Sequence, residues 1–104
     1  MAEIARWTTP SISFKPSMAA AADIAEIKCV LTQGGTDLIV KDLSNATIND
    51  GRFIWSLSQT ESALLAVSRK TMLQIDYLTT GGMRYTTKPK EYETINSGTD
   101  EVME

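Results

Sequence analysis

The stretch Ile24–Gln33, "IAEIKCVLTQ", followed at once by Gly34-Gly35 and then "TDLIVK" at 36–41, decides the class of fold. Ala25, Ile27, Cys29 and Leu31 alternate with Glu26, Lys28 and Thr32, the period of a strand with one buried face. Paired glycines supply the positive φ angles of a tight hairpin turn. Thr36 to Lys41 is then the returning strand, rich in β-formers. Upstream, "SMAAAAD" at 17–23 competes, because alanine is the best helix former and Ser17 after Pro16 could cap a helix running on to Ile27. The alternation outweighs it, so 17–23 is expected to be a loop or one helical turn and 24–33 a strand.

Working outward, Ala46 to Ile48 and Arg52 to Ser58 flank Asn49-Asp50-Gly51, whose Asp-Gly is a strong hairpin signal. Phe53, Trp55 and Leu57 share one face of the second arm, which marks Trp55 as core. Ser58-Gln59-Thr60-Glu61 is a capping box, Ser at the N-cap and Glu three residues on. One or two helical turns should therefore cross between sheets over Ser62–Ala66. Lys70 to Thr79 alternates again, with Leu73, Ile75 and Tyr77 inward and Gln74 and Asp76 outward. Gly81-Gly82 turns that strand into Met83 to Lys88, where Met83, Tyr85 and Thr87 share a face, and Tyr92 and Ile95 can extend it beyond Pro89. Near the N-terminus, Ser11-Ile12-Ser13-Phe14 alternates between Pro10 and Pro16. Proline lacks the ladder donor, so this strand is short and peripheral.

About seven short strands with frequent turns and one short helix predict an all-β fold, an antiparallel β-sandwich with immunoglobulin-like arrangement. A single cysteine excludes the disulfide signature of antibody domains. Of 104 residues, 1–95 should form one sandwich domain. Residues 96–104, polar and acidic, should be a flexible tail.

Charge is unevenly spread within a net of −3. Glu91, Glu93, Asp100, Glu101 and Glu104 carry five acids and no base into the last fourteen residues, leaving ten bases against eight acids before them. No clustered basic patch marks the chain, so nucleic acid is not an expected partner. No run approaches the roughly 20 apolar residues of a membrane span, and Glu3 and Arg6 interrupt any signal-peptide core. A reducing cytoplasm is the expected setting, and Cys29, in an apolar run, reads as a buried structural thiol.

Catalytic chemistry is hard to build from these residues. The sequence has no histidine, which removes the commonest general base and the commonest metal ligand. One cysteine without histidine excludes Cys/His zinc sites. Neither Ser-x-x-Lys nor Gly-x-Ser-x-Gly occurs. Asp37, Asp42, Asp50 and Asp76 match no calcium-loop spacing, and both glycine pairs precede strands, which makes them turns and not phosphate cradles. Asn45-Ala46-Thr47 is a glycosylation sequon without a secretory context. No enzyme activity, cofactor or metal is expected.

Four pieces in order, Arg6-Trp7-Thr8-Thr9-Pro10, Val30-Leu31-Thr32-Gln33-Gly34-Gly35, Leu57-Ser58-Gln59-Thr60-Glu61-Ser62 and Ile75 to Arg84 ("IDYLTTGGMR"), resemble a family of small bacterial prophage proteins. Those proteins begin with a basic residue and Thr-Thr-Pro, carry a strand ending in Ser/Thr-Gln before a turn, and close with a hairpin. Their pattern continues into another apolar strand where this chain has Pro89, Lys90 and acidic residues. The resemblance implies a β-sandwich structural protein of the phage tail or baseplate region. It would act through protein–protein contacts with other tail components or with itself as a homo-oligomer, in the host cytoplasm during assembly or in the virion. Arg6, Trp7, Thr8 and Thr9 are the candidate assembly contact, with Trp7 either docked on its own sandwich or free to meet a partner. A carbohydrate- or host-surface-binding module is the alternative, and it would need Trp55, Tyr77 or Tyr85 at the surface.

Overall fold

The computed structural model describes residues 2–99, 102 and 103, and the opening hairpin is its spine. The first long strand, β3 (Ile24–Gln33), pairs antiparallel with β4 (Thr36–Asp42). Gly34 and Gly35 turn between them with φ of 60° and 81°, both in the left-handed region that a two-residue hairpin of matching twist requires. Ile27, Cys29, Leu31 and Gln33 point inward and are buried. The alanine-rich stretch before β3 makes a single 3-10 turn at Ala21–Asp23, because the strand pairing that begins at Ile24 leaves no room for a longer helix.

Ahead of this hairpin lie β1 (Ala2–Ala5) and β2 (Ser11–Phe14). After it come β5 (Thr47–Asn49), β6 (Arg52–Ser56), the helix α1 (Gln59–Ser62), β7 (Thr71–Thr79), β8 (Arg84–Thr86) and β9 (Lys90–Ile95). The larger sheet runs β1-β9-β7-β3-β4, with β8 also on β7, and the smaller runs β2-β6-β5. Strands leave one sheet for the other between β1 and β2, β2 and β3, β4 and β5, and β6 and β7. The fold is therefore an all-β, two-sheet sandwich in an immunoglobulin-like layout, with β4 as an added edge strand on the larger sheet.

Two strands differ from the sequence expectation. β1 is an addition, lying parallel to β9 with Ala5 opposite Ile95; its "AEIA" carries no alternation, and tertiary pairing alone makes it a strand. Beyond Pro89 the last strand does continue, but broken. Pro89 has no N–H to give to the ladder, and β8 and β9 occupy successive lengths of the same edge of β7. At the break the Thr87 side chain stands in for a ladder carbonyl, accepting from the Ile75 N–H at 3.0 Å. Met83 lies in the turn before β8 and is 58% exposed. Of the acidic C-terminal segment, Asp100, Glu101 and Glu104 lie outside the described residues. Gln59 pairs with both the N–H and the C=O of Met103, each at 2.7 Å.

The core lies between the sheets. Ile12, Phe53 and Trp55 of the smaller sheet meet Ile27, Cys29, Leu31, Leu73, Ile75 and Tyr77 of the larger. Phe53 and Trp55 stack at 6.1 Å, and the Trp55 indole N–H donates to the Asp42 carbonyl at 2.9 Å, which satisfies the one polar atom of a fully buried ring. Sealing one end is a polar knot around Gln33, only 3% exposed. Its Nε2 donates to the Ala66 carbonyl at 3.0 Å and to Thr71 Oγ1 at 2.9 Å, while its Oε1 accepts from the Ala66 N–H at 2.9 Å. Thr71 in turn bonds Thr94 across to β9 at 2.9 Å.

Gln33 thus ties the crossover after α1 to the start of β7. Gln33→Leu strands buried groups whose lost bonds cost about 1–3 kcal/mol each. The variant should be less stable by about 2–4 kcal/mol in urea denaturation, and an unchanged midpoint would remove this role from Gln33.

Candidate functional site

The candidate residues Arg6 to Thr9 form the turn that carries the chain from β1 to β2. The backbone N–H of Arg6 still pairs with the Ile95 carbonyl, at 2.9 Å, and Trp7 then reverses direction with φ of 63°. That angle is an outlier for a bulky residue, and the contacts around it hold it there. Arg6 Nη2 donates to the Ala63 carbonyl at 2.9 Å. The Thr8 N–H donates to Ser62 Oγ at 3.1 Å, and that hydroxyl lies 2.8 Å from the Thr8 carbonyl. The Thr8 hydroxyl donates to the Ala5 carbonyl at 2.6 Å. Arg6 and Thr8 are therefore tied to Ala63 and Ser62 at the end of α1, with Trp7 half-buried between them, while Thr9 is exposed. Arg6 Nε and the Trp7 indole N–H are enclosed with no hydrogen-bond partner.

α1 is positioned by the capping box read from sequence: the Glu61 N–H donates to Ser58 Oγ at 3.1 Å and the Ser58 N–H to Glu61 Oε1 at 2.9 Å. The second carboxylate oxygen of Glu61 takes Lys41 Nζ of β4 at 2.6 Å. Burial raises the Glu61 pKa, but hydrogen bonds from Lys41 and Ser58 and the ammonium charge outweigh it and hold the carboxyl below its ordinary value.

The aspartates are dispersed. Asp37 is exposed on β4, and Asp50 sits in the β5–β6 turn. Asp42 caps a 3-10 turn at Leu43–Asn45, where the Ser44 hydroxyl, foremost among its donors, lowers its pKa. Asp76 accepts from Arg84 Nη2 at 3.2 Å and from the Thr86 hydroxyl. Among the described residues no group of three or more His, Cys, Asp or Glu could hold a metal ion. Burial pushes the Cys29 thiol up to about 12, against the opposing pull of the Lys41 charge. The nucleophilic thiolate is thereby suppressed.

Trp55 and Tyr77 are 0% and 4% exposed, and half-buried Tyr85 packs on Tyr77 at 5.4 Å between ring centres. Trp55 and Tyr77 offer no open face on which a sugar ring could stack, and Tyr85 is covered on the side that packs on Tyr77.

A surface absent from the sequence reading lies on the outer face of the larger sheet. Register sets Asp42 of β4 beside Lys28 of β3, and Lys28 beside Asp76 of β7; Arg84 of β8 reaches over to Asp76. Val40 and Val30 form the neighbouring row. A shallow groove of about 490 Å³, with Val30 and Met72 on its lining and Asp37 and Pro89 at its sides, continues the same face. Only the pairing register makes these residues neighbours, and single-strand periodicity carries no register information.

The sheet edges, by contrast, are guarded. β2 is bracketed by Pro10 and Pro16, β5 has three residues and β1 four. β4 carries a bulge opposite Leu31/Thr32 and turns Lys41 inward to Glu61. Short edge strands, prolines, bulges and inward charges are the usual defences against edge-to-edge pairing.

No protein-family model matches this sequence, and no curated protein matches it.

Two outcomes check this site. Because the folded pKa of Glu61 is depressed, its contribution to stability is present above the ordinary carboxylate value and is lost as pH falls through the folded one. The stability gap between the wild type and Glu61→Gln should therefore shrink as pH drops below about 4.5; a gap constant down to pH 2 would contradict the ion pair. Cys29 should react with a disulfide reagent at pH 8 only at the rate of unfolding, and rapid labelling of the native protein would place the thiol at the surface.

Proposed function

We propose that the protein is a non-catalytic structural component of a bacteriophage or prophage, of the tail or baseplate region, that works by protein–protein contact. What supports this most is how its polar groups are used. Gln33, Ser62, Thr71, Thr94, Lys41 and Glu61 are engaged in holding the sandwich, and the one thiol is buried, while the outer face of the larger sheet carries exposed charged and apolar side chains. A flat, mixed face is suited to meeting another protein surface, whose rim is characteristically polar. With the edges guarded, contacts fall to this face and to Thr9 and the open side of Trp7. None of the described helices is long and apolar enough to cross a membrane. The host cytoplasm during assembly, or the virion, is the setting that goes with this reading.

Co-expression of the chain with the genes flanking its own tests it. The protein should co-sediment with tail or baseplate particles, and the flanking genes should encode virion proteins. Flanking genes of metabolism, together with a protein that sediments alone, would overturn the reading.

A further inference from the structure

The outer row on the larger sheet sets opposite charges on neighbouring strands, which supports the sheet itself and also leaves a patterned face toward solvent. Crossing from β4 to β7, its charges alternate in sign: Asp42, Lys28, Asp76; on β8 Thr86 stands opposite Asp76, and Arg84, opposite Leu78, reaches back along the strand to the same carboxylate. Lys28 and Asp42 are directly opposite in register, as are Lys28 and Asp76, and Arg84 Nη2 lies 3.2 Å from Asp76. All four remain open to solvent, with side-chain exposures of 56% for Lys28, 40% for Asp76 and 74% for Arg84. Neighbouring strands stand about 4.8 Å apart, which sets the spacing of Asp42, Lys28 and Asp76 across the sheet, with Glu26 4.0 Å from Lys28 beside the row.

A row that alternates in this way is complementary to its own reverse. If a second copy lies face to face, related by a two-fold axis that runs along the strands between β3 and β7, each position meets its mirror position in the row. Lys28 then faces Asp76 of the second copy, a contact that occurs twice, while Asp42 faces the β8 strand of that copy, where Thr86 holds the row and Arg84 lies two residues along. We infer that the outer face of the larger sheet is a self-complementary docking surface for a second copy of this chain. Val40, 52% exposed, and Val30 lie in the next row, where Gln74 of β7 stands opposite Val30. Sheets packed face to face sit about 10 Å apart, a gap that the lysine and arginine side chains span to reach a carboxylate.

The size of the face sets the strength. Four strands, of which β8 has only three residues, give a footprint of at most roughly 15 by 20 Å, well below the roughly 800 Å² per partner of a stable complex. Pairing by this face alone is weak and dominated by exposed charges, so salt must dissolve it. This inference rests on the reading of the protein as an assembly component and names one of its partners.

The test is sedimentation equilibrium of the full chain at low and high salt, with two single variants. The wild type should form a dimer that weakens from about 0.05 M to about 0.5 M salt as the Debye length contracts. Lys28→Asp sets an introduced carboxylate against Asp76 twice, and Asp76→Lys sets an introduced ammonium against Lys28 twice, so each alone should dimerise at least about tenfold more weakly. Mixed together they restore every opposite-sign contact, and the mixture should recover the dimer while neither component forms one. Circular dichroism of each variant shows that it is folded. A mixture that stays monomeric, or variants that dimerise as the wild type does, would overturn the face. Wild-type association that ignores both substitutions puts the contact elsewhere and leaves the assembly reading standing. A wild type that is monomeric throughout and also fails to co-sediment with tail particles removes both.

Discussion

The Glu61 carboxylate is the interaction on which the arrangement of the sandwich turns. A helix of four residues has no stability of its own, since nucleation costs more than one turn of hydrogen bonds returns. Glu61 fixes it from two directions, one oxygen closing the capping box with Ser58 and the other holding Lys41 at the edge of the larger sheet. Once α1 is held, its Ser62 hydroxyl and the Ala63 carbonyl just beyond become the seats for Thr8 and Arg6. The same pair also turns an edge lysine inward. Connection between the sheets, attachment of the N-terminal turn and protection of β4 are therefore consequences of one ion pair and one cap.

Much of the fold was legible because periodicity and turn chemistry agree. The parity of Ile27, Cys29 and Leu31 announces a buried face, and Gly34-Gly35 and Asp50-Gly51 announce the two tight hairpins. The capping box at Ser58–Glu61 forms as written. Where local sequence says little, tertiary pairing decides. β1 has no alternation and exists only because β9 offers it an edge. Pro89 reads as a stop, yet the strand resumes because Thr87 lends a side-chain oxygen to the ladder. Gln33 shares the parity of Leu31, and that is the signal by which a buried amide could have been found; its polarity points the other way.

The candidate site shows the same division. Arg6 to Thr9 stand out in sequence as a lead-in outside any period, and two of the four, Arg6 and Thr8, prove to be bonded to Ala63 and to Ser62 at the end of α1. The αL conformation of Trp7, which costs on the order of 1 kcal/mol or more, persists because the contacts of Arg6 and Thr8 on either side over-determine it. The turn is in the first place a clamp, and what it offers outward is limited to Thr9 and part of one ring. The outer row was invisible for a different reason: Asp42, Lys28, Asp76 and Arg84 come from four strands, and each alone is an ordinary surface charge.

Guarded edges and an open face are two sides of one constraint. A sandwich that assembles must avoid pairing without limit, and backbone edges are indifferent to sequence, accepting any strand that approaches. Side-chain rows on a face discriminate, because a shift of one strand across the row sets like charges against each other and costs several kcal/mol. Closing the edges with prolines, a bulge and an inward lysine removes the indiscriminate mode. The pairing we infer for the outer row would be specific in register, closed by two-fold symmetry and so limited to pairs. Larger assemblies would have to be built by other partners at other surfaces, and weak, salt-sensitive pairing leaves the face available for exchange as they form.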